Sequence, residues 1–246
     1  MRIIALLLLS LLLPSTFAAG EPTLEQLLEN TDDATRGASS DAVVEMHVKT
    51  AQYERTMKMR MWSSGSEKTL VRILEPAKDA GITTLKVDQN IWNYLPKVDR
   101  TLKVPAGMMS GNWMGSHFTN DDLVKESRLS DDFDGRITSR PSENAEGVYV
   151  IELKPKPEAA VVWGSIVAKI RPDRLPVSVA YNDEQGKAMR TILFSDVKNF
   201  DGHMVPSVMR LIPADKPGEF TEMTYLSIDF DVVIPESTFT LQALKP

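Results

Sequence analysis

Apolar and polar residues alternate with a period of two along most of this chain. Val44, Met46 and Val48 interleave with Glu45, His47 and Lys49, and Met57, Met59 and Met61 with Lys58, Arg60 and Trp62. Thr69, Val71 and Ile73 interleave with Leu70, Arg72 and Leu74. Side chains of an extended strand point alternately to its two faces, so each run reads as a strand with one buried face. Residues 82–87 and 91–95 form two more strands, joined by Asp88-Gln89-Asn90, which suits a tight hairpin. Further strands are predicted over 148–154, 161–171, 175–181, 188–200, 205–213 and 220–231, with turn chemistry such as Arg171-Pro172-Asp173 and Asp201-Gly202 between them. Regular short strands of this kind predict a mainly β chain, one antiparallel sheet curled into a barrel or half-barrel.

Helical spacing is scarce. Thr23-Leu24-Glu25-Gln26 has the form of a capping box, and Leu24, Leu27 and Leu28 share a face, which predicts a short helix from 24 to 30 or somewhat beyond. Residues 32–41 are small and polar and read as a linker. Residues 96–105 read as a mixed link, and Thr119-Asn120-Asp121-Asp122 offers helix N-caps before Leu123 and Val124, so broken helix without strand pairing is expected here.

The first residues read as a secretion leader: Arg2, an apolar run over 3–13, then Thr16-Phe17-Ala18 before a cut after Ala18 or Ala19. The apolar run is too short for a stable membrane anchor. Residues 1–19 are therefore expected to be a signal peptide and 20–246 one domain, exported, released and soluble. A formal net charge of −6 argues against a nucleic-acid partner, which needs a basic face. The chain has no cysteine, which removes disulfides, thiolate chemistry and sulfur metal sites together.

Residues 91–123 carry the sharpest signal. A strand with Trp92 and Tyr94 runs into a segment holding Met108, Met109, Trp113, Met114 and Phe118 among glycines and serines. Unbranched thioethers and small residues make an adaptable apolar surface with little to hold it in one shape, as a lid over a lipid-sized hollow requires. From periodicity alone, the inner face of the sheet either packs as a solid core or lines an apolar chamber. Signals for catalysis are weak. His47, His117 and His203 lie on different predicted elements without metal-ligand spacing, and Ser195-Asp196-Val197-Lys198 matches S-x-x-K without the companion motifs. Asp131, Asp132 and Asp134 lack the glycine and distant glutamate of a calcium loop. No enzyme activity, cofactor or metal is expected.

Ile91-Trp-Asn-Tyr-Leu-Pro and Met114-Gly-Ser-His-Phe-Thr-Asn-Asp-Asp-Leu resemble the LolA-like family of outer-membrane lipoprotein-sorting proteins. The later half is similar as well, through Tyr181-Asn-Asp-Glu-Gln-Gly, Asp201-Gly-His-Met-Val-Pro and the closing Pro235-Glu-Ser-Thr-Phe-Thr-Leu-Gln-Ala-Leu. His117 stands where the family pattern carries an acidic residue. The resemblance implies an incomplete barrel with helices across its open side, a hollow for acyl chains, and periplasmic transport of lipid or lipoprotein without catalysis. It also implies an inner-membrane transporter and an outer-membrane acceptor as partners. A second reading is an envelope sensor or transporter adaptor that uses the same hollow. The expected lipid-binding residues are Met57, Met59, Met61, Val71, Ile73, Leu85, Trp92, Tyr94, Met108, Met109, Trp113, Met114 and Phe118.

Overall fold

The computed structural model describes residues 21–33, 37–124, 129–159 and 161–245. The expected leader, residues 1–19, lies outside them. The strands form one 13-stranded antiparallel sheet, in the order β6-β5-β4-β3-β2-β1-β13-β12-β11-β10-β9-β8-β7. The first meander comprises β1 (Ser39–Lys49), β2 (Glu54–Ser64), β3 (Lys68–Glu75), β4 (Thr83–Val87), β5 (Asn90–Leu95) and β6 (Arg100–Lys103). The second comprises β7 (Phe133–Ser139), β8 (Tyr149–Pro155), β9 (Ser165–Ile170), β10 (Pro176–Asn182), β11 (Ala188–Phe200), β12 (His203–Pro213) and β13 (Phe220–Phe230). The two meet where β1 pairs with β13, and the sheet stays open between its edge strands β6 and β7.

The strand order dictates what covers the opening. Each step within a meander is a turn between neighbours. The connection from β6 to β7 must instead carry the chain from one edge of the sheet to the other. It holds the Met-rich segment, α2 (Asn120–Val124) and α3 (Leu129–Asp132). The lid is the crossover itself.

Inner-face side chains line up in register across the first meander. Val44 faces Met59, which faces Ile73, and Met46 faces Met57. These rows join Val48, Leu211 and Met223 in one core, which Trp113 and Phe118 of the crossover complete. A second core lies under the second meander, where Tyr149, Ile151, Leu153, Ile166, Ala168 and Ile170 are covered by Leu27, Leu28 and Leu129. Leu27 and Leu28 come from α1 (Leu24–Asp33), whose start is the expected capping box: the Thr23 amide donates to Gln26 Oε1 at 3.1 Å and the Gln26 amide to Thr23 Oγ1 at 3.2 Å.

The sheet bends at local irregularities. At Asp196 (φ 53°) β11 skips one pairing with β12. The buried Ser207 hydroxyl spans the gap by donating to the Asp196 backbone oxygen at 2.7 Å. The register itself shifts elsewhere, between Val43 and Val44 against β13 and between Lys58 and Met59 against β3, and such bulges add twist and help a long sheet curl.

The outer face of β3–β5 is also covered. Leu70, Leu85 and Tyr94 pack against Phe239 and Leu244 of the C-terminal tail. Both faces of β4 are thus buried, so its sequence could not show by alternation which face is inner.

Two strands depart from the sequence reading. Residues 100–103 form β6, paired with β5, instead of a link. Residues 133–139 form β7, paired with β8, a strand the alternation did not predict. Residues 161–164 precede β9 and are not strand.

Leu27 is fully buried. Leu27→Ala is expected to destabilise the protein by about 2–5 kcal/mol, the usual cost of a large-to-small change in a core, read as a lower urea midpoint at unchanged slope.

Candidate lipid cavity and its lid

A cavity of about 450 Å³ lies between the two cores. Tyr181 and Phe194 touch both cores and form part of its wall. Ala42, Met61 and Val71 line it from the first meander, and Ile166, Val179 and Ile192 from the second. Trp113, Phe118 and Leu123 of the crossover close it on another side. The volume falls within the roughly 300–1,000 Å³ typical of small-molecule pockets.

The crossover is held by a dense set of hydrogen bonds. This corrects the expectation that little fixes its shape. The buried Trp113 donates its indole N–H to Thr84 Oγ1 at 3.2 Å, and its backbone N–H to the Phe118 carbonyl at 2.8 Å. The Ser116 hydroxyl donates to the Trp113 carbonyl at 2.8 Å and accepts from the Phe118 amide at 3.1 Å. Between these, Met114 and Gly115 take left-handed conformations, with φ 50° and 64°. Only glycine suits position 115, because a Cβ there would stand 3.0 Å from the Tyr53 hydroxyl and 3.2 Å from Arg55 Nη2. Those two groups donate to the Gly115 and Met114 carbonyls and tie the crossover to the β1–β2 turn and β2.

Two charged contacts complete the attachment. His117 Nε2 lies 3.0 Å from Glu219 Oε2, and its Nδ1 lies 2.8 Å from Thr221 Oγ1, which also accepts the His117 backbone N–H. The Nε2–H tautomer satisfies this set, donating to Glu219 and accepting from Thr221. The hydrogen bond from His117, followed by the Ala51 backbone N–H, holds the Glu219 carboxyl below its ordinary range. At the start of α2, Asp122 accepts the Thr119 amide at 2.8 Å and forms a two-pronged pair with Arg190 of β11 at 2.7 and 2.6 Å. The Arg190 guanidinium lies over the Trp163 and Tyr181 rings, 4.6 and 4.5 Å from their centroids. Burial pulls its pKa down, and Asp122 outweighs that, leaving it above its ordinary value.

Four of the thirteen expected residues, Met61, Val71, Trp113 and Phe118, line the cavity. Met57, Met59 and Ile73 share its sheet face but are packed in the first core. Met114 packs against that core too, Met109 is half-buried and Met108 is exposed. Leu85, Trp92 and Tyr94 sit on the opposite face, which corrects the expected assignment of the Trp92 strand to the chamber. The register gives the reason: Leu85 pairs with Leu70 and Trp92 with Leu85, so all three point outward, while Thr84 and Lys86 point in.

The sequence reading missed Ser40, Ser63, Thr69, Thr84 and Lys86 in the wall, and Trp163, Tyr181 and Arg190 opposite. Arg190 did carry a signal, because it occupies the same strand phase as Ile192 and Phe194. The histidines serve separate contacts: His47 meets Glu54, His117 meets Glu219, and His203 stacks on Phe230. No group of three His, Asp or Glu that could hold a metal occurs among the described residues.

A family model described as "-like: Uncharacterized protein" matches residues 65–246. The chain belongs to that family. No curated protein matches the chain. Solved structures do, and they show that its fold is LolA-like. A DUF1329 family protein from Desulfovibrio piger superposes with a TM-score of 0.78 at 20% identity, over 90% of this chain and 97% of that one. An outer membrane lipoprotein-sorting protein domain from Vibrio parahaemolyticus gives 0.75 at 23% identity, over 90% and 98%. A LolA superfamily protein from Nitrosomonas europaea gives 0.72 at 21%, over 90% and 99%.

Asp122→Ala leaves a buried guanidinium without its counter-charge and is expected to cost this LolA-like domain about 3–5 kcal/mol in urea unfolding, with the Asp122→Leu/Arg190→Met pair recovering most of it. Glu219 should make the His117 anchor acid-sensitive. A carboxyl with a lowered folded pKa contributes stability above its ordinary value of about 4, and that contribution fades as pH falls through the lowered one. The protection of the His117 amide, its exchange rate corrected for the intrinsic rate at each pH, should therefore fall in acid, and Glu219→Gln should flatten that dependence.

Proposed function

We propose that this protein is a periplasmic carrier that takes an acyl chain of a lipid or lipoprotein into the cavity and moves it between the inner and outer membranes. The observation that carries this reading is the unfilled, largely apolar space under the crossover, in a chain whose other inner rows pack solidly. Buried apolar space costs stability unless something occupies it, at about 24 cal/mol per Å³ in core mutants. The lipoprotein-sorting domain with the same fold supports the choice of cargo class. The apolar leader supports export, with an inner-membrane transporter as donor and an outer-membrane protein as acceptor.

Transfer requires that binding be reversible. Each buried methylene contributes about 0.8 kcal/mol, so a long chain in a perfectly fitted pocket would not leave. The crossover supplies the offset. Admitting a chain requires parting some of its contacts with Thr84, Tyr53, Arg55, Thr221 and Arg190, so part of the burial energy is spent on opening. The wall carries out no bond-making step in this reading, and the charged groups hold the lid.

The experiment is lipid extraction and mass spectrometry of the protein purified from the exported compartment. Wild-type protein should carry about one acyl lipid per chain. Ala42→Phe, which puts a ring into the cavity wall, should fold normally and carry none. A wild-type protein that holds no lipid and takes none from donor vesicles would contradict the carrier reading.

A further inference from the structure

We propose that the rim of the cavity formed by β6 and the start of the crossover is a membrane-docking surface, and that its partner is an anionic lipid bilayer. This goes beyond the carrier reading, because it names the face that meets the membrane whatever the cavity holds.

β6 is the last strand on one side of the opening, and its pairing places Leu102 on the inner face. Leu102 faces Asn93 of β5, whose side chain accepts from the Thr84 hydroxyl at 2.7 Å, and Thr84 lines the cavity. Leu102 is nonetheless 49% exposed. The chain then continues as Val104-Pro-Ala-Gly-Met-Met, six residues without a charged or hydrogen-bonding side chain. Residues 105–108 are all exposed, Met108 at 62%. A Cβ at Gly107 would meet nothing within 4 Å, so this run projects into solvent. Two residues after Met108, Ser110 lines the cavity. So does Val162 of the β8–β9 connection, which is 69% exposed. Leu102, Met108 and Val162 thus border the cavity with exposed apolar side chains.

The charge of this rim runs against that of the whole chain. Acidic residues outnumber basic ones 34 to 28, yet residues 100–120 hold Arg100 and Lys103 and no carboxylate. Lys97 lies in the turn before them, and the carboxylate of that turn, Asp99, is engaged by Lys245 at 2.7 Å. Lys97, Arg100 and Lys103 are exposed and form no ion pair among the described residues. Lys103 lies over the Trp92 ring, with Nζ 5.5 Å from its centroid. Edge strands commonly carry lysine and proline to block pairing with another sheet, which accounts for Lys103 and Pro105. It does not account for exposed Leu102 and Met108 beside them, since large exposed apolar runs mark interaction sites. Apolar side chains flanked by cations suit a bilayer interface. The apolar groups enter the acyl boundary, where flexible methionine adapts to irregular neighbours, and the cations meet lipid phosphates. A bilayer seated on this rim faces the cavity, so a chain passes between them with little exposure to water.

The test is flotation of the full chain with protein-free vesicles of equal parts phosphatidylglycerol and phosphatidylethanolamine, and with phosphatidylcholine vesicles. Wild type should float with the anionic vesicles, less so as salt rises, and at least about tenfold less well with phosphatidylcholine. Arg100→Gln/Lys103→Gln should weaken anionic binding about twentyfold, from about fivefold for each cation near the surface. Met108→Asp should abolish flotation at an unchanged urea midpoint, because its side chain is exposed. Leu193→Asp, at an exposed leucine on the outer face of β11, should float as wild type does. No flotation of wild type, equal flotation on both vesicle types, or flotation unaltered in either rim variant would overturn the proposal. So would retention on native inner-membrane vesicles but not on protein-free ones, which would put a membrane protein on this face instead. Carriage is read separately, from extracted lipid. A failure of flotation leaves the carrier reading standing, and a protein that floats but never holds lipid defeats that reading and keeps the docking surface.

Discussion

One connection has to join the two free edges of the sheet, and most of the molecule follows from that. Antiparallel meanders let neighbouring strands be joined by short turns, and here β1–β6 and β7–β13 each proceed in that way from the seam where β1 meets β13. The chain leaves β6 at one margin and must begin β7 at the other. Its path lies across the concave face, so the crossover covers the interior without a separate domain. The same path explains its composition. It must bury Trp113 and Phe118 on one side, meet solvent on the other, and reverse tightly at Gly115 beneath Tyr53 and Arg55.

The interior is neither uniformly solid nor uniformly hollow. Met46, Met57 and Met59 fill the middle of the first meander with flexible, fully buried side chains. Towards the ends of β1 and β2 marked by Ser40 and Ser63, Ala42, Thr69 and Thr84 join those serines on the inner face beside Met61, Val71 and Lys86, and open space appears. Across it, the Arg190–Asp122 pair and the stacked Trp163 and Tyr181 keep the far wall and the crossover in register.

Much of this was legible in the residues, for identifiable reasons. Strands with one polar face, such as β1 and β2, announce themselves by alternation, and both lie where the pattern puts them. The α1 capping box formed as read. The inner face was misjudged where alternation carries no information. In β4 residues 83–86 are all buried, because the C-terminal tail covers the outer side, so Leu85 looked like a wall residue and Lys86 did not. Trp92 and Tyr94 were drawn to the chamber by their size, yet they serve the tail, where Tyr94 donates to Asp99 and Asp99 pairs with Lys245. The apparent looseness of the Gly- and Met-rich segment was misleading for a different reason. Its anchors, Thr84, Thr221 and Glu219, are distant in sequence and no local pattern reveals them.

Tryptophan placement offers a direct measurement of whether hydrocarbon reaches the space under the crossover. Trp113 and Trp163 line the cavity, whereas Trp62 and Trp92 pack with the outer cluster. Alkyl chains brominated near their midpoint quench only indoles they touch. The account predicts strong quenching in a Trp62→Phe/Trp92→Phe variant, which keeps the inner pair, and little in a Trp113→Phe/Trp163→Phe variant. Quenching confined to the outer pair, or absent from both, would contradict it.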